Sequence, residues 1–166
     1  MKQLNKKIIS RLAVIQFLYQ KFFFSLLYKE HKIFSIKETM KEASNFIHEH
    51  YSEPEIFSDH FHEYPNIKII PNIKYYKELI LLIVEKLPFI DQIIYSKCNK
   101  KSDKIDILIL SILRPAICEL KYIGKLSFKI VINEYTTLAN ELLDHYQIGF
   151  INFVLDSYAK IEEKTI

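Results

Sequence analysis

Glycine is the residue that this chain most clearly lacks. Only Gly124 and Gly149 occur in 166 residues, and no Asn-Gly or Asp-Gly pair is present. Tight β-hairpin turns favour such pairs, and phosphate-cradling loops need several glycines. The sequence therefore argues against hairpin-built sheets and excludes P-loop and dinucleotide-binding motifs. Isoleucine and leucine instead recur at steps of three and four residues, which predicts an all-α protein.

Cysteine and long apolar runs are scarce as well. Cys98 and Cys118 form no Cys-x-x-Cys pair, so we expect small core residues and no disulfide, in a reducing cytoplasm. No stretch is apolar for long enough to predict a transmembrane helix. The basic, apolar N-terminus resembles a signal peptide, but Arg11, Gln16 and Lys21 interrupt it and no small-residue cleavage site follows. We expect a cytoplasmic protein with no membrane segment.

Catalytic and metal-binding motifs are missing too. The sequence contains no GxSxG, no HExxH and no Cys-His nucleophile motif. Four histidines follow a His-x-His spacing, whereas two imidazoles converge on one helix face only at a spacing of four. These residues are His48, His50, His60 and His62. We therefore expect no enzymatic activity, no metal site and no cofactor.

Acidic residues are absent from the first 29 positions, which carry six cations. They are Lys2, Lys6, Lys7, Arg11, Lys21 and Lys29. Such a cluster can neutralise nucleic-acid phosphates, and interleaved aromatic rings such as Tyr19 and Phe23 can stack bases. The alternative is a solvated face on an ordinary helix, with most of the rings in the core. From the cluster we predict Lys6, Lys7 and Arg11 as phosphate ligands.

Apolar spacing predicts a single compact bundle of about seven helices over residues 1–166. The expected ranges are 5–28, 35–51, 73–86, a short one after Pro88 to about 99, 103–122, 128–142 and 147–161. The apolar stripe expected on the first helix is Ile8, Leu12, Ile15, Tyr19, Phe22 and Leu26. Residues 52–72 are rich in proline and predict a long loop insertion. Pro115 is expected to kink or restart the fifth helix and Gly124 to end it.

Charged residues also lie in or beside the apolar stripes of the fifth and sixth helices. Arg114, Glu119 and Glu134 are the clearest examples. Buried charges destabilise a fold unless they are paired, and the planar fork of arginine can bind two carboxylates. We therefore predict a structural ion network in which Arg114 joins Glu119 and Glu134. Direct contact of these residues with a ligand is the alternative.

Four phrases in a fixed order carry a family resemblance. They are Arg11 with Gln16-Phe17-Leu18-Tyr19, Leu113-Arg114 to Glu119-Leu120, Lys129 to Glu134, and Phe150-Ile151-Asn152-Phe153-Val154-Leu155-Asp156. Their order and spacing resemble the NusB family of bacterial transcription antitermination factors. Many family members have a glycine where this chain has Phe153. The resemblance is strongest over residues 5–28 and 103–160 and implies two small helical subdomains that share the first and fifth helices.

The resemblance also implies a function and its residues. It implies binding of boxA-type single-stranded RNA together with NusE, a small-subunit ribosomal protein, in support of RNA polymerase read-through of ribosomal RNA operons. RNA is expected to run from Lys6, Lys7 and Arg11 toward Phe150 and Asn152. NusE is expected near Tyr19, Asp103 and Tyr146, although Asp103 also suits a helix cap. Two alternatives are an accessory domain of a ribosomal RNA cytosine methyltransferase system and a homodimeric protein-interaction module.

Overall fold

Six α-helices make up the part of the chain that a computed structural model describes, namely residues 5–28, 35–51, 70–98 and 105–162. They are α1 (Lys6–Leu27), α2 (Ile36–Tyr51), α3 (Ile73–Lys97), α4 (Ile107–Cys118), α5 (Phe128–Leu142) and α6 (His145–Glu162). A π-helical turn, Glu119–Ile123, continues α4. No strand occurs in these ranges, so the all-α class is confirmed. Most of the predicted insertion at 52–72 lies outside the described residues.

Helix α4 is the centre of the bundle. It contacts α1, α3, α5 and α6, and every residue from Ile109 to Cys118 is buried. A helix that is apolar nearly all round buries its whole surface only when neighbours surround it. None of the helices in the described ranges is long and apolar enough to cross a membrane.

Two prolines lie inside helices, and one of them contradicts its prediction. The predicted break at Pro88 is wrong, because α3 runs through it from Ile73 to Lys97 and merges two of the seven predicted helices. Ile83 and Ile90, on either side of the proline, are both fully buried, so packing offsets the missing hydrogen bond. Pro115 likewise lies inside α4.

Shortly after Pro115 the α-helix changes into the π-helical turn. There the amide of Gly124 donates to the carbonyl of Glu119 at 3.2 Å. Gly124 adopts φ 58° and ends the helix, as predicted. Helix α4 begins at Ile107, where the side chain of Asp106 accepts from Leu108 N. Asp103, the expected start of this helix, lies outside the described residues.

Helix α1 is central over its first half and peripheral over its second. Residues from Ile9 to Leu18 are mostly buried, whereas Tyr19 and Leu26 are exposed. The stripe expected along the whole helix is therefore wrong at Tyr19 and Leu26, whereas Phe22 still packs against the core. The reason is that α1 is surrounded by neighbours only near its N-terminus, and its second half lies at the edge of the bundle.

A reciprocal capping box starts α6. The side chain of Asp144 accepts from the amide of Gln147 at 2.9 Å, and the side chain of Gln147 accepts from the amide of Asp144 at 3.3 Å. The four residues predicted to face inward are buried, as expected: Ile151, Val154, Leu155 and Tyr158. Helix α6 packs against α3, α4 and α5, which leaves one long side of it facing solvent.

Candidate nucleic-acid interface

The cations of the N-terminal segment fall into different environments. Lys2 and Lys29 lie outside the described residues, and Lys21 forms an ion pair with Glu42 on α2. Arg11 is buried, with no exposed surface. Within the described range, Lys6 and Lys7 are therefore the cations of this segment that reach solvent without a carboxylate partner.

The first turn of α1 is held firmly to the start of α3. The hydroxyl of Ser10 donates to the carbonyls of Lys6 and Asn72 at 2.8 and 3.1 Å. It accepts in turn from the amide of Asn72 at 2.7 Å. The Nζ atom of Lys7 lies 5.6 Å from the centroid of the Tyr75 ring, a cation–π distance. The two lysines are thus displayed on a fixed platform.

Arg11 is the hub of a buried ion network. Its Nε and Nη2 atoms donate to the two oxygens of Glu119 at 2.8 and 2.5 Å, and its Nη1 atom pairs with Glu134 on α5. The guanidinium lies 5.6 Å from the centroids of both the Tyr75 and the Tyr135 rings. The hydroxyl of Tyr135 donates to Glu119 at 3.2 Å. The prediction that Arg11 binds RNA phosphate is therefore wrong, because both edges of its fork are occupied inside the protein.

The electrostatics of this network favour a permanently charged arginine. Burial alone lowers the pKa of Arg11, but the hydrogen bond and the charge of Glu119 outweigh it, and the net effect is a raised pKa. Burial and the nearby Glu119 carboxylate raise the pKa of the Tyr135 hydroxyl. The cluster therefore consists of an arginine cation, two carboxylates and neutral phenols, and Glu134 carries it to the partly exposed edge of α5.

Arg114 belongs to a different pair. Its Nε and Nη2 atoms donate to the two oxygens of Asp91 on α3 at 2.8 and 2.9 Å, and its guanidinium lies 4.1 Å from the centroid of the Phe22 ring. The prediction that Arg114 joins Glu119 and Glu134 is wrong. A helix residue five positions from Glu119 points away from it on the cylinder, so Arg114 faces α3 and α1.

The α6 residues of the predicted RNA surface have distinct settings. Phe150 is half-buried and packs against the core. The side-chain oxygen of Asn152 accepts from the hydroxyl of Thr136 on α5 at 2.6 Å. Asn152 also lines an open groove of about 440 Å³ between α5 and α6, together with Lys129, Asp156 and Lys160. The predicted RNA surface has two halves, the start of α1 and one side of α6. Helix α5 contacts both of them, through Glu134 to Arg11 of α1 and through Thr136 to Asn152 of α6.

The predicted partner residues are displayed on the surface where they can be described. Tyr19 is 37% exposed and stacks on Phe23 with ring centroids 5.8 Å apart. Phe24 and Tyr28 form a second exposed stack one turn further on. Tyr146 is 81% exposed at the start of α6. Asp103 lies outside the described residues.

Sequence reasoning missed several residues that shape this region. Tyr75 supports both Lys7 and Arg11, and its neighbours in the sequence do not indicate that role. Asp91 stands alone among apolar residues of α3, which is a usable sign of a buried ion partner. Phe153, at 58% exposure, is a large aromatic side chain on the solvent side of α6, and the apolar pattern of the sequence does not distinguish it from a core residue.

These features describe an all-helical protein with a buried arginine hub, a lysine pair on a rigid platform and exposed aromatic rings. Comparison with known proteins gives the family. The family model for NusB matches residues 8–160, and the chain belongs to the NusB family.

Individual relatives agree over nearly the whole chain. The chain is 32% identical over 167 residues to "Transcription antitermination protein NusB" of Rickettsia rickettsii (strain Sheila Smith), covering 99% of this chain and 97% of the relative. It is 34% identical over 159 residues to the protein of the same name in Rickettsia bellii (strain OSU 85-389), covering 95% and 92%. The Rickettsia typhi protein is 31% identical over 164 residues, covering 98% and 96%.

Proposed function

We propose that this protein is a transcription antitermination factor that binds boxA-type single-stranded RNA together with the ribosomal protein NusE. In this role it supports read-through by RNA polymerase in ribosomal RNA operons. Its membership of the NusB family supports the proposal, as do the names of its relatives. The observation that carries it is the uncompensated pair Lys6 and Lys7.

The position of this lysine pair is electrostatically unfavourable in the absence of an anionic ligand. Both residues lie in the first turn of α1, and no acidic residue accompanies them there. The helix dipole makes that end positive, so cations there are unfavourable by a few tenths of a kcal/mol each, and an anion is favourable. An RNA phosphate would neutralise both effects. Tyr75, directly beneath Lys7, supplies a ring next to the backbone path.

The RNA path continues from Lys6 and Lys7 toward Phe150 and Asn152 on α6. The amide group of Asn152 has one oxygen bound to Thr136, which leaves its two N–H donors for a base or phosphate oxygen. Arg11 supports this surface from within the core, because its ion pairs with Glu119 and Glu134 hold the start of α1 against the end of α4 and against α5.

The NusE surface is proposed around Tyr19, with Tyr146 at its edge and Asp103 as a further contact. A tyrosine offers a large apolar body and a polar tip, the kind of anchor found at protein interfaces. The stacked Tyr19 and Phe23 rings form an exposed apolar surface on the second half of α1. Such a patch marks an interaction site in a folded protein.

Charge reversal tests the RNA assignment. Lys6→Glu and Lys7→Glu should each weaken binding of single-stranded boxA-type RNA and lower the salt slope of log Kd by about one for each lysine–phosphate pair removed. Lys37→Glu, an exposed lysine on α2, is the matched control and should leave both quantities near the wild-type values. Identical behaviour of all three variants would overturn the assignment.

The partner assignment has its own test. Tyr19→Ala should reduce capture of purified NusE by tenfold or more, as expected for removal of an aromatic anchor. Phe89→Ala, which removes an exposed ring on α3, is the control and should bind NusE normally. The aromatic rings of α1 also favour a second candidate, a homodimeric interaction module. Concentration-dependent dimerisation that Tyr19→Ala abolishes, with no NusE binding by wild type, would establish that candidate instead.

A further inference from the structure

Gly149 occupies a position where neither conformation nor packing requires glycine. It lies inside α6, where its φ is not positive, and its position is exposed. A Cβ atom added there would meet no heavy atom within 4 Å. Glycine is among the least favourable residues in a helix interior. A bare backbone at this point therefore lowers helix stability without any internal benefit.

Two exposed aromatic side chains lie on either side of Gly149 along the helix and leave an open space above its backbone. Tyr146 and Phe153, which are 81% and 58% exposed, lie three residues before and four residues after the glycine. At these spacings the three residues share one face of the helix. The two aromatic residues are separated by seven residues, or about 10.5 Å along the axis. Because helical side chains all lean toward the N-terminus, the gap between the rings is retained.

The separation leaves room for one flat aromatic ring system between the two side chains. A ring placed midway would lie about 5 Å from each side chain, within the separation of about 4.5–7 Å that aromatic pairs adopt. Neither Tyr146 nor Phe153 stacks on another ring of the described residues. The floor of the gap is the Gly149 backbone, beside the half-buried Phe150. A Cβ at Gly149 would project into this space.

The charges around the gap favour a nucleic acid over a protein segment. No acidic residue occurs from His145 to Leu155. Lys160 lies a further seven residues along the same face, is exposed and forms no ion pair with the described residues. Asp156, three residues after Phe153, lies on the same face, but Lys129 and Lys160 line the groove beside it and outnumber it. Single-stranded RNA binders combine stacking rings with cations along the backbone in this way.

We propose that Tyr146, Gly149 and Phe153 form a slot that stacks one base of single-stranded RNA, with Lys160 near the adjoining phosphate. This inference rests on the proposed RNA-binding function and adds to it a base-stacking position, and it assigns Tyr146 to the RNA in place of the edge of the NusE surface. Phe153 and Gly149 are its defining residues: the first supplies one wall, and the second keeps the floor open.

An abasic scan locates the stacked base. The probe is labelled boxA-type RNA, intact and as a series in which each base in turn is removed while the sugar-phosphate is kept. Wild type should lose about tenfold in affinity at one abasic position, the usual effect of one base–aromatic stack. Phe153→Ala should bind the intact RNA about tenfold more weakly and lose nothing further at that position. Phe89→Ala, which removes a ring of 59% exposure on α3, is the matched control.

Gly149→Ala should change thermal stability and RNA affinity in opposite directions. Alanine favours the helix, so the midpoint of thermal unfolding should rise by about 2–4 °C, while RNA affinity falls several-fold because the methyl group fills the slot. A fold defect cannot produce this combination. A stabilised variant with wild-type RNA affinity would overturn the slot.

The outcomes separate the slot from the function on which it rests. If wild type binds RNA but Phe153→Ala and Gly149→Ala bind it equally well, the slot fails alone. If Phe153→Ala keeps RNA affinity and loses NusE capture, this face binds protein and the slot is again overturned. If wild type does not bind the RNA at all, the proposed function fails together with the slot.

Discussion

Replacement of Arg11 by alanine distinguishes a structural hub from an RNA ligand. In wild type the guanidinium has no exposed surface and Glu119 is 3% exposed. The change removes two charge-assisted hydrogen bonds from Glu119 and leaves one, donated by the hydroxyl of Tyr135. Glu134, at 18% exposure, can recover hydration from solvent. The main cost therefore falls on Glu119, a charge left buried without a cation.

The magnitude follows from that environment. Removing one partner of a buried ion pair destabilises a protein by about 3–5 kcal/mol, because the remaining carboxylate keeps its desolvation penalty. A domain has a total stability of about 5–15 kcal/mol, so a large share is lost. At about 2–4 °C per kcal/mol for a chain of this size, the midpoint of thermal unfolding should fall by about 6–20 °C.

The assay is urea unfolding followed by circular dichroism, with RNA binding measured well below the midpoint. Arg11→Ala should unfold at much lower urea, and Glu119→Gln added to it should restore part of the stability by removing the stranded charge. RNA affinity of the folded variant should stay near that of wild type. A change of less than about 1 kcal/mol combined with a collapse of RNA binding would refute the buried-hub assignment.

Two further predictions concern the second ion pair and high pH. Arg114→Ala and Asp91→Ala, measured singly and together by urea unfolding, should show a coupling free energy of about 1–3 kcal/mol; additive effects would contradict the pairing. Burial raises the pKa of Cys118 and of Tyr51 to about 12 each, from 9.0 and 10.0, and also raises that of Tyr135. The unfolded chain then loses these protons first, so these groups should leave the free energy of unfolding unchanged near neutral pH and lower it above pH 9.0. Cys118→Ala should delay the onset of this fall toward pH 10.0, where the tyrosines begin; stability that stays level through about pH 11 in wild type would contradict the assigned burial.

Sequence periodicity is enough to predict the class of fold and much of the core. Spacing of apolar residues predicts the helices because each helix must bury one continuous face. It correctly gives the inward residues of α6, the central position of α4 and the end of its π-helical extension at Gly124. The absence of acidic residues from the first 29 positions also identifies the N-terminal lysines as candidates for binding an anionic ligand. This inference needs only the charges in the sequence and no knowledge of packing.

The pairing of the charged side chains and the exposure of the aromatic rings depend on how the helices pack against one another. In the sequence Arg11 looks like Lys6 and Lys7, yet it is buried against Glu119, 108 positions away. Arg114 meets Asp91 instead of the predicted carboxylates. Periodicity states which face of a helix is buried, but the rotation and axial shift of its neighbour set which polar groups meet. The same geometry leaves the second half of α1 at the edge of the bundle, so Tyr19 is exposed although it continues an apolar stripe.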